Sequence, residues 1–239
     1  MQFKRILKTS AKVLLGLLLL ALAVAAVGLA YLEHGLYNPV EPAAPPTQAQ
    51  RPRPSPNPLR NADFGDLHVH TALSLDANIF DTRNGPRTAY QFAKGAAITL
   101  PGSGIRQQLL APLDFAAVTD HAEGMGPMHQ CFDRQGSNYW SLDCIGVRHQ
   151  VPLLFARLFA HVQQNGARLA QYNPSLCGPA VRDCAASVQG VWQDMQAAAR
   201  EHYEPGYFST FNGFEYSPTL VRGGMLHRNV IFRGEAVPT

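Results

Sequence analysis

A long apolar run without a charged residue lies near the start of the chain. Residues 13–32 read VLLGLLLLALAVAAVGLAYL and contain no charged side chain. A helix rises about 1.5 Å per residue, so about 20 apolar residues are enough to cross a hydrocarbon core of about 30 Å. We therefore predict a membrane-crossing helix at residues 13–32, preceded by a basic segment at residues 1–12.

A proline-rich segment follows the apolar run. Eight of the twenty residues at positions 39–58 are proline. Such a composition favours extended polyproline conformation and a semi-rigid spacer. We predict a linker over residues 33–58 and a folded domain over residues 59–239.

Within the folded domain, short apolar runs with strand character alternate with longer segments of helical period. Strands are predicted at Asp63–Val69, Leu113–Thr119, Tyr207–Tyr216 and Arg228–Arg233. Helices are predicted at Pro86–Lys94, Val147–Asn165 and Ser187–Tyr203, with Ser187 as an N-cap and an end before Pro205. This alternation indicates an α/β fold with a mainly parallel sheet or barrel, from which residues 122–186 form a long excursion.

Charge is distributed unevenly and indicates the topology. Four basic residues lie between positions 4 and 12, and no acidic residue comes before Glu33. Such cations stay on the cytoplasmic side, which places the rest of the chain outside. From Asn61 onward the chain has 13 basic and 15 acidic side chains, a net charge of −2. This balance argues against a nucleic-acid partner.

Two fates of the apolar segment remain open. An uncleaved anchor is favoured because a cleaved signal peptide has a shorter apolar region. However, Gly28-Leu29-Ala30 resembles a small-residue cleavage site. We expect a domain anchored in the inner membrane through residues 13–32 and facing the periplasm, or secreted to the periplasm after cleavage.

All four cysteines lie in the exported part. An even number in an exported domain favours disulfides, and four cysteines allow three pairings. Short loops favour Cys131–Cys144 and Cys177–Cys184. A zinc site is the alternative, but the closely spaced cysteine pairs of such sites are absent.

The first predicted strand contains two histidines that are candidate metal ligands. His68 and His70 form H-x-H, and residues two apart on a strand point to the same face. Two imidazoles placed about 7 Å apart at their Cα atoms can chelate one cation. Asp76 follows in a stretch rich in small residues. H-x-H alone indicates a metal only weakly.

The second predicted strand runs directly into VTDHAE at residues 118–123. In α/β folds the active site lies at the C-terminal ends of strands, so Asp120, His121 and Glu123 are placed where ligands belong. The alternative is a helix start, with Thr119 or Asp120 as N-cap and Glu123 in the first turn.

Two further candidates follow in later strands. Glu215 lies in the apolar FNGFEYS, where an ionised carboxylate is costly unless paired or bound to metal. His227 begins the strand of MLHRNVIF. The alternatives are an ion pair of Glu215 with Arg222 or Arg228, and a structural role for His227 in the core.

H-x-H, D-H, E and H, in this order at strand termini, resemble the PHP (polymerase and histidinol phosphatase) superfamily. The strings NPLRNADFGDLHVHTALSLDANIFDTR, LDFAAVTDHAE, GFEYS and LHRNVIFR resemble the bacterial PHP-like family called domain of unknown function 3604. That resemblance covers residues 57–239.

The resemblance implies a distorted β/α barrel of PHP type, with two or three divalent metal ions at its C-terminal face. By position, it gives His68, His70 and Glu215 to the first ion. Glu215 would bridge to a second ion that His227 also binds, and Asp76 and His121 would serve a third. Histidine with carboxylate suits zinc, manganese or iron.

Three more residues are candidate catalytic groups. Arg83 offers a bidentate fork for a phosphate-like oxyanion, and a surface salt bridge is its alternative. Asp120 and Glu123 adjoin the predicted ligand His121. The function expected from this set is that of a metal-dependent hydrolase, of phosphoesterase type, with an unidentified small-molecule or phosphoester substrate.

PHP proteins carry another histidine and an Asp/His pair on later strands, which this chain lacks. We therefore expect the N-terminal part of a longer protein, incomplete as a barrel; a naturally short half-barrel needing a partner is the alternative. A membrane-anchored metal-binding or interaction module without activity is the competing function. A polymerase-associated nuclease is disfavoured by export and by the acidic domain.

Overall fold

The computed structural model describes residues 2–37, 58, 60–100, 103–149, 153, 177, 182–217 and 226–238. The chain divides into two compact units, Met1–Asn38 and Pro39–Thr239, and each is described by itself.

The first unit is a single helix, α1 (Gln2–Tyr37). Its span Ser10–Tyr31 has 22 residues, a mean hydropathy of 2.8 and no buried side chains. By length and composition this helix is able to cross a membrane, and a signal sequence has the same properties. The predicted apolar helix is thus present, whereas most of the predicted linker lies outside the described residues.

The second unit mixes strands and helices. Its described elements are β1 (Gly65–Val69), α2 (Leu75–Ile79), α3 (Pro86–Ala93), β2 (Ile98–Thr99), β3 (Arg106–Gln107), β4 (Phe115–Val118), α4 (Ala122–Phe132), α5 (Leu142–His149), α6 (Arg182–His202), β5 (Ser209–Phe211), β6 (Gly213–Tyr216) and β7 (Arg228–Ile231).

A parallel sheet in the order β1–β4–β5 forms the centre of this unit. β6 and β7 pair as an antiparallel hairpin, and a parallel bridge between His121 and Glu215 brings β6 to the end of β4. β2 and β3 form a separate short hairpin. The predicted mixed α/β class with a parallel sheet is confirmed. Among the described strands the sheets remain open, and they form no closed barrel.

The main apolar core lies between this sheet and helices α3, α4 and α6. Its buried members are Tyr90, Ala93, Ala116, Val118, Met125, Val191, Met195, Ala198, Ala199 and Phe208. The Tyr90 hydroxyl donates to the carbonyl of Phe211 and accepts from the amide of Val118, both at 3.4 Å. Helix α3 is thereby fixed against β4 and β5.

The last long helix differs from its prediction at its start. α6 begins at Arg182, so Ser187 lies inside the helix and the predicted N-cap is wrong. The Ser187 hydroxyl accepts a hydrogen bond from Gln130 Nε2 at 2.6 Å, and this bond joins α6 to α4. The helix ends at His202, before Pro205, as predicted.

The predicted strand Tyr207–Tyr216 is divided in two at Asn212. The Asn212 carbonyl accepts a hydrogen bond from the amide of Phe232 at 2.9 Å, at the junction between β5 and β6. The predicted helix Val147–Asn165 overlaps the end of α5, and nearly all of its remainder lies outside the described residues. Helix α2 and the β2–β3 hairpin were not predicted as elements, and the helix start at α4 was predicted only as the alternative to metal ligands.

Both favoured disulfides, Cys131–Cys144 and Cys177–Cys184, are formed. They lie in a second apolar cluster together with Met128 and Val147. Because α4 contributes Met125 to the main core and Met128 to this cluster, it connects the cysteine-rich segment to the sheet.

Candidate metal centre

The predicted ligands meet at the C-terminal ends of the parallel strands. β1 carries His68 and leads directly into His70, and β4 leads into His121. The β6–β7 hairpin adds Glu215 and, one residue before β7, His227. Parallel strands present their carboxyl ends at one edge of a sheet, which explains why residues far apart in sequence converge here.

Glu215 lies at the centre of the cluster and is fully buried. Its Oε2 atom is 2.8 Å from His68 Nε2 and 2.7 Å from His70 Nε2. The two ring nitrogens are themselves 3.2 Å apart. One carboxylate oxygen of Glu215 thus contacts both histidines of the H-x-H motif.

The other carboxylate oxygen of Glu215 faces three different groups. Oε1 accepts a hydrogen bond from Ser217 Oγ at 2.7 Å, contacts His227 Nδ1, and lies 3.8 Å from His121 Nδ1. Burial raises the pKa of Glu215, but hydrogen bonds from Ser217, His227 and His68 outweigh it and lower the pKa to about 2. Glu215 is therefore ionised at neutral pH.

Asp76 joins two histidines on the outer side of the cluster. Its carboxylate lies 3.3 Å from His70 Nδ1 and 3.4 Å from His121 Nε2. Hydrogen bonds from His121 and His70 hold the pKa of Asp76 well below its usual range. Burial lowers the pKa of His70, but the contacts with Asp76 and Glu215 outweigh it, so the net change is upward.

All six predicted ligands fall into three overlapping groups, in each of which the ligand atoms lie within 4.8 Å of one another. The groups are His68–His70–Glu215, His70–Asp76–His121 and His121–Glu215–His227. In the first group the nitrogens of His68 and His70 are 3.2 Å apart, and they lie 2.8 and 2.7 Å from Glu215 Oε2. Each of the three groups could hold a metal ion.

The structure places Asp120 behind the ligands. Its fully buried carboxylate accepts from the Thr71 amide at 2.6 Å, and from the hydroxyls of Thr71 and Ser74 at 2.7 Å each. The Ser74 hydroxyl in turn accepts from the His121 amide at 3.0 Å. Burial raises the pKa of Asp120 despite these donors. Asp120 therefore fixes the loop before Asp76 and the backbone at His121.

The other two candidate catalytic residues make backbone contacts. Glu123, in the first turn of α4, accepts from the Ser217 amide at 2.9 Å through Oε1. The N-cap of α4 is His121, rather than Thr119 or Asp120. The Arg83 guanidinium donates to the carbonyl of Asn78 in α2.

Three residues of this site did not stand out in the sequence. Thr71 and Ser74 bind Asp120, and Ser217 contacts Glu215. The spacing of Ser217, two residues beyond Glu215, is a signal for it, since such residues share a face of a strand. Thr71 and Ser74 carry no such signal, because their role depends on the contact with Asp120, which no local pattern indicates.

A family model described as a protein of unknown function (DUF3604) matches residues 57–239. The chain belongs to the DUF3604 family. No curated protein and no solved structure matches it significantly. The DUF3604 match runs from before β1 to beyond β7, so it contains all six predicted ligands.

Proposed function

We propose that this DUF3604 chain carries the site of a metal-dependent hydrolase of phosphoesterase type, built for two or three divalent ions. The observation that supports it is the buried carboxylate of Glu215, with His68 and His70 at one oxygen and His227 at the other. A structural ion pair needs one cation, whereas this carboxylate is surrounded by histidines.

Exposure adds to the proposal. The side chains of His68, Asp76 and His227 are 56%, 50% and 48% exposed, while Glu215 is fully buried. The buried carboxylate of Glu215 therefore lies at the bottom of the cluster, and these three possible ligands are exposed to solvent at its top. A substrate is able to reach the cluster from that side. Ions held there would lower the pKa of a bound water toward 7 and neutralise charge on phosphoryl oxygens.

Membership of the PHP superfamily and its distorted β/α barrel belong to the same proposal. The order of H-x-H, D-H, E and H along the chain supports them. Helix α1 and the two disulfides support an inner-membrane protein with this domain in the periplasm, because disulfides persist in oxidising compartments. Zinc, manganese and iron are the ions proposed from the ligand set.

The test is metal analysis of the full-length chain, purified in detergent, stripped of metal and reloaded separately with zinc, manganese or iron. We expect two or three ions per chain, and hydrolysis of p-nitrophenyl phosphate or bis(p-nitrophenyl) phosphate with at least one of the metals. His68→Ala and Glu215→Gln should lower both the metal content and the rate. Glu201→Gln, on the surface of α6, is the matched control and should change neither.

Each outcome has a distinct meaning. A folded wild-type chain that takes up no transition metal would rule out the site. Full metal loading without hydrolysis of either ester would favour the binding module over the phosphoesterase. Equal loss in Glu201→Gln and Glu215→Gln would assign the effect to general damage.

A further inference from the structure

Ser217 is the common contact of three residues in the metal centre. Its side chain is nearly fully buried. Its Oγ atom is 2.7 Å from Glu215 Oε1, 3.0 Å from His121 Nδ1 and 3.1 Å from His227 Nδ1. Its backbone amide donates to Glu123 at 2.9 Å, which fixes where the hydroxyl lies.

The hydroxyl has a single proton to share among these contacts. An ionised carboxylate is an acceptor only, so the contact with Glu215 Oε1 requires the Ser217 proton. This contact is also the shortest of the three and is assisted by charge. The two remaining lone pairs of Oγ accept, so the contacts with His121 and His227 each require a proton on the Nδ1 atom of that ring.

We propose that Ser217 is a positioning residue that holds His121 in the Nδ1–H form, leaving Nε2 as its only metal ligand atom. His121 belongs to two overlapping groups, one with Asp76 and one with His227. Its Nε2 atom faces Asp76 Oδ2 at 3.4 Å. With Nδ1 occupied by a proton, His121 would hold an ion together with Asp76, and Glu215 and His227 would be left to hold another.

This inference rests on the proposed function only in that the centre must bind metal. The first experiment uses the full-length chain in detergent, loaded with zinc and labelled with ¹⁵N at histidine. Long-range ¹H–¹⁵N spectra distinguish protonated from metal-bound ring nitrogens, and His121→Gln identifies the His121 signals. We expect a protonated Nδ1 and a zinc-bound Nε2. Zinc on Nδ1 of His121 would overturn the inference.

The second experiment removes the hydroxyl. With the hydroxyl lost, Ser217→Ala should weaken the binding of one zinc ion about 10- to 100-fold, the range found for residues that orient ligands. Competition with a chelator measures this change. Ser217→Thr keeps the hydroxyl and should restore binding, and Ser209→Ala on β5 is the matched control. Unchanged zinc affinity in Ser217→Ala would overturn the inference.

The outcomes separate the two proposals. If the wild-type chain binds none of zinc, manganese and iron, the proposed function fails and this inference fails with it. If zinc binds and His121 coordinates through Nδ1, this inference alone fails. Because the first experiment reads the wild-type tautomer, it decides the question even if Ser217→Ala does not fold.

Discussion

Asp120 is a single buried carboxylate that supports the candidate metal centre and lies outside the three groups of possible ligands. It accepts from one amide and two hydroxyls, all supplied by Thr71 and Ser74. A buried carboxylate is tolerated when donors of this kind surround it. Through Ser74 it also fixes the backbone of His121.

Replacing Asp120 by Asn should therefore damage both stability and metal binding. The amide nitrogen of Asn would face donors, leaving polar groups unsatisfied at a cost of about 2–4 kcal/mol. Urea denaturation measures this cost, and metal analysis should show loss at Asp76 and His121. Asp194→Asn on the exposed face of α6 is the control, with an expected effect below about 1 kcal/mol. Equal stability of the two variants would contradict the role given to Asp120.

At the scale of residues, the sequence predicted which candidate ligands come together better than it predicted the residues that support them. His68 and His70 were predicted because a strand has a two-residue period, and His121 because it follows an apolar strand. The contacts of Asp120 with Thr71 and Ser74 were not predicted, since that loop is distant in sequence. Such roles depend on which loop meets which strand, and no local pattern specifies that.

At the scale of elements, α4 contains Gly124, Gly126 and Pro127, which disfavour a helix. A Cβ atom at Gly126 would lie 2.7 Å from the carbonyl oxygen of Cys184 and 2.8 Å from Val188 Cγ2. The glycine therefore permits close approach of α4 to α6. Tertiary packing outweighs helix propensity here, which explains why this helix was predicted only as an alternative.

Gly126→Ala should destabilise the domain because the added methyl group would clash with the backbone carbonyl of Cys184 in α6. Overpacking of this kind costs about 1–3 kcal/mol. Gly190→Ala is a matched control in α6, where a Cβ has no neighbour within 4 Å. That variant should gain up to about 1 kcal/mol from helix propensity. Thermal unfolding of both variants measures the difference, and a stabilised Gly126→Ala would refute the close packing.

A second prediction concerns the contact between α3 and α6. His202 stacks on Tyr90 with ring centroids 5.7 Å apart. Burial, with Lys94 nearby, lowers the pKa of His202 in the folded state below its ordinary value of 6.5. The unfolded chain then binds more protons below about pH 6.5, so folding stability is complete above that pH and falls as the pH falls through the folded pKa.

His202→Gln should therefore reduce the loss of stability between about pH 7 and pH 5, since glutamine takes up no proton in this range. Urea midpoints of wild type and variant, measured at several pH values, give the comparison. The variant is expected to have the flatter profile even if the loss of stacking lowers its stability throughout. Parallel profiles would show that His202 does not contribute to acid sensitivity.

At the scale of the whole molecule, the chain combines an apolar helix with a disulfide-containing domain. The span Ser10–Tyr31 contains no buried residue, as expected for a segment that faces lipid or is removed by cleavage. Both disulfides favour an oxidising compartment for the second unit. These two properties were predictable because they depend on composition, whereas a closed sheet depends on strands far apart.

A reporter fusion tests the export of this domain. Alkaline phosphatase joined after Thr239 should be active, because the four basic residues before the apolar span keep the N-terminus inside. We expect clearly higher activity than from a fusion that lacks residues 1–38. A green fluorescent protein fusion that fluoresces strongly, with an inactive phosphatase fusion, would place the domain in the cytoplasm.

The position of α4 has a consequence for metal supply. The helix has the predicted ligand His121 as its N-cap and carries Cys131, which needs oxidation, in its last turn. Folding of the centre and formation of the disulfide then belong to the same compartment. Binding sites of this kind discriminate among metals partly by which ions are available. We expect the ions of the centre to be drawn from those outside the cytoplasm, whatever the cytoplasmic supply.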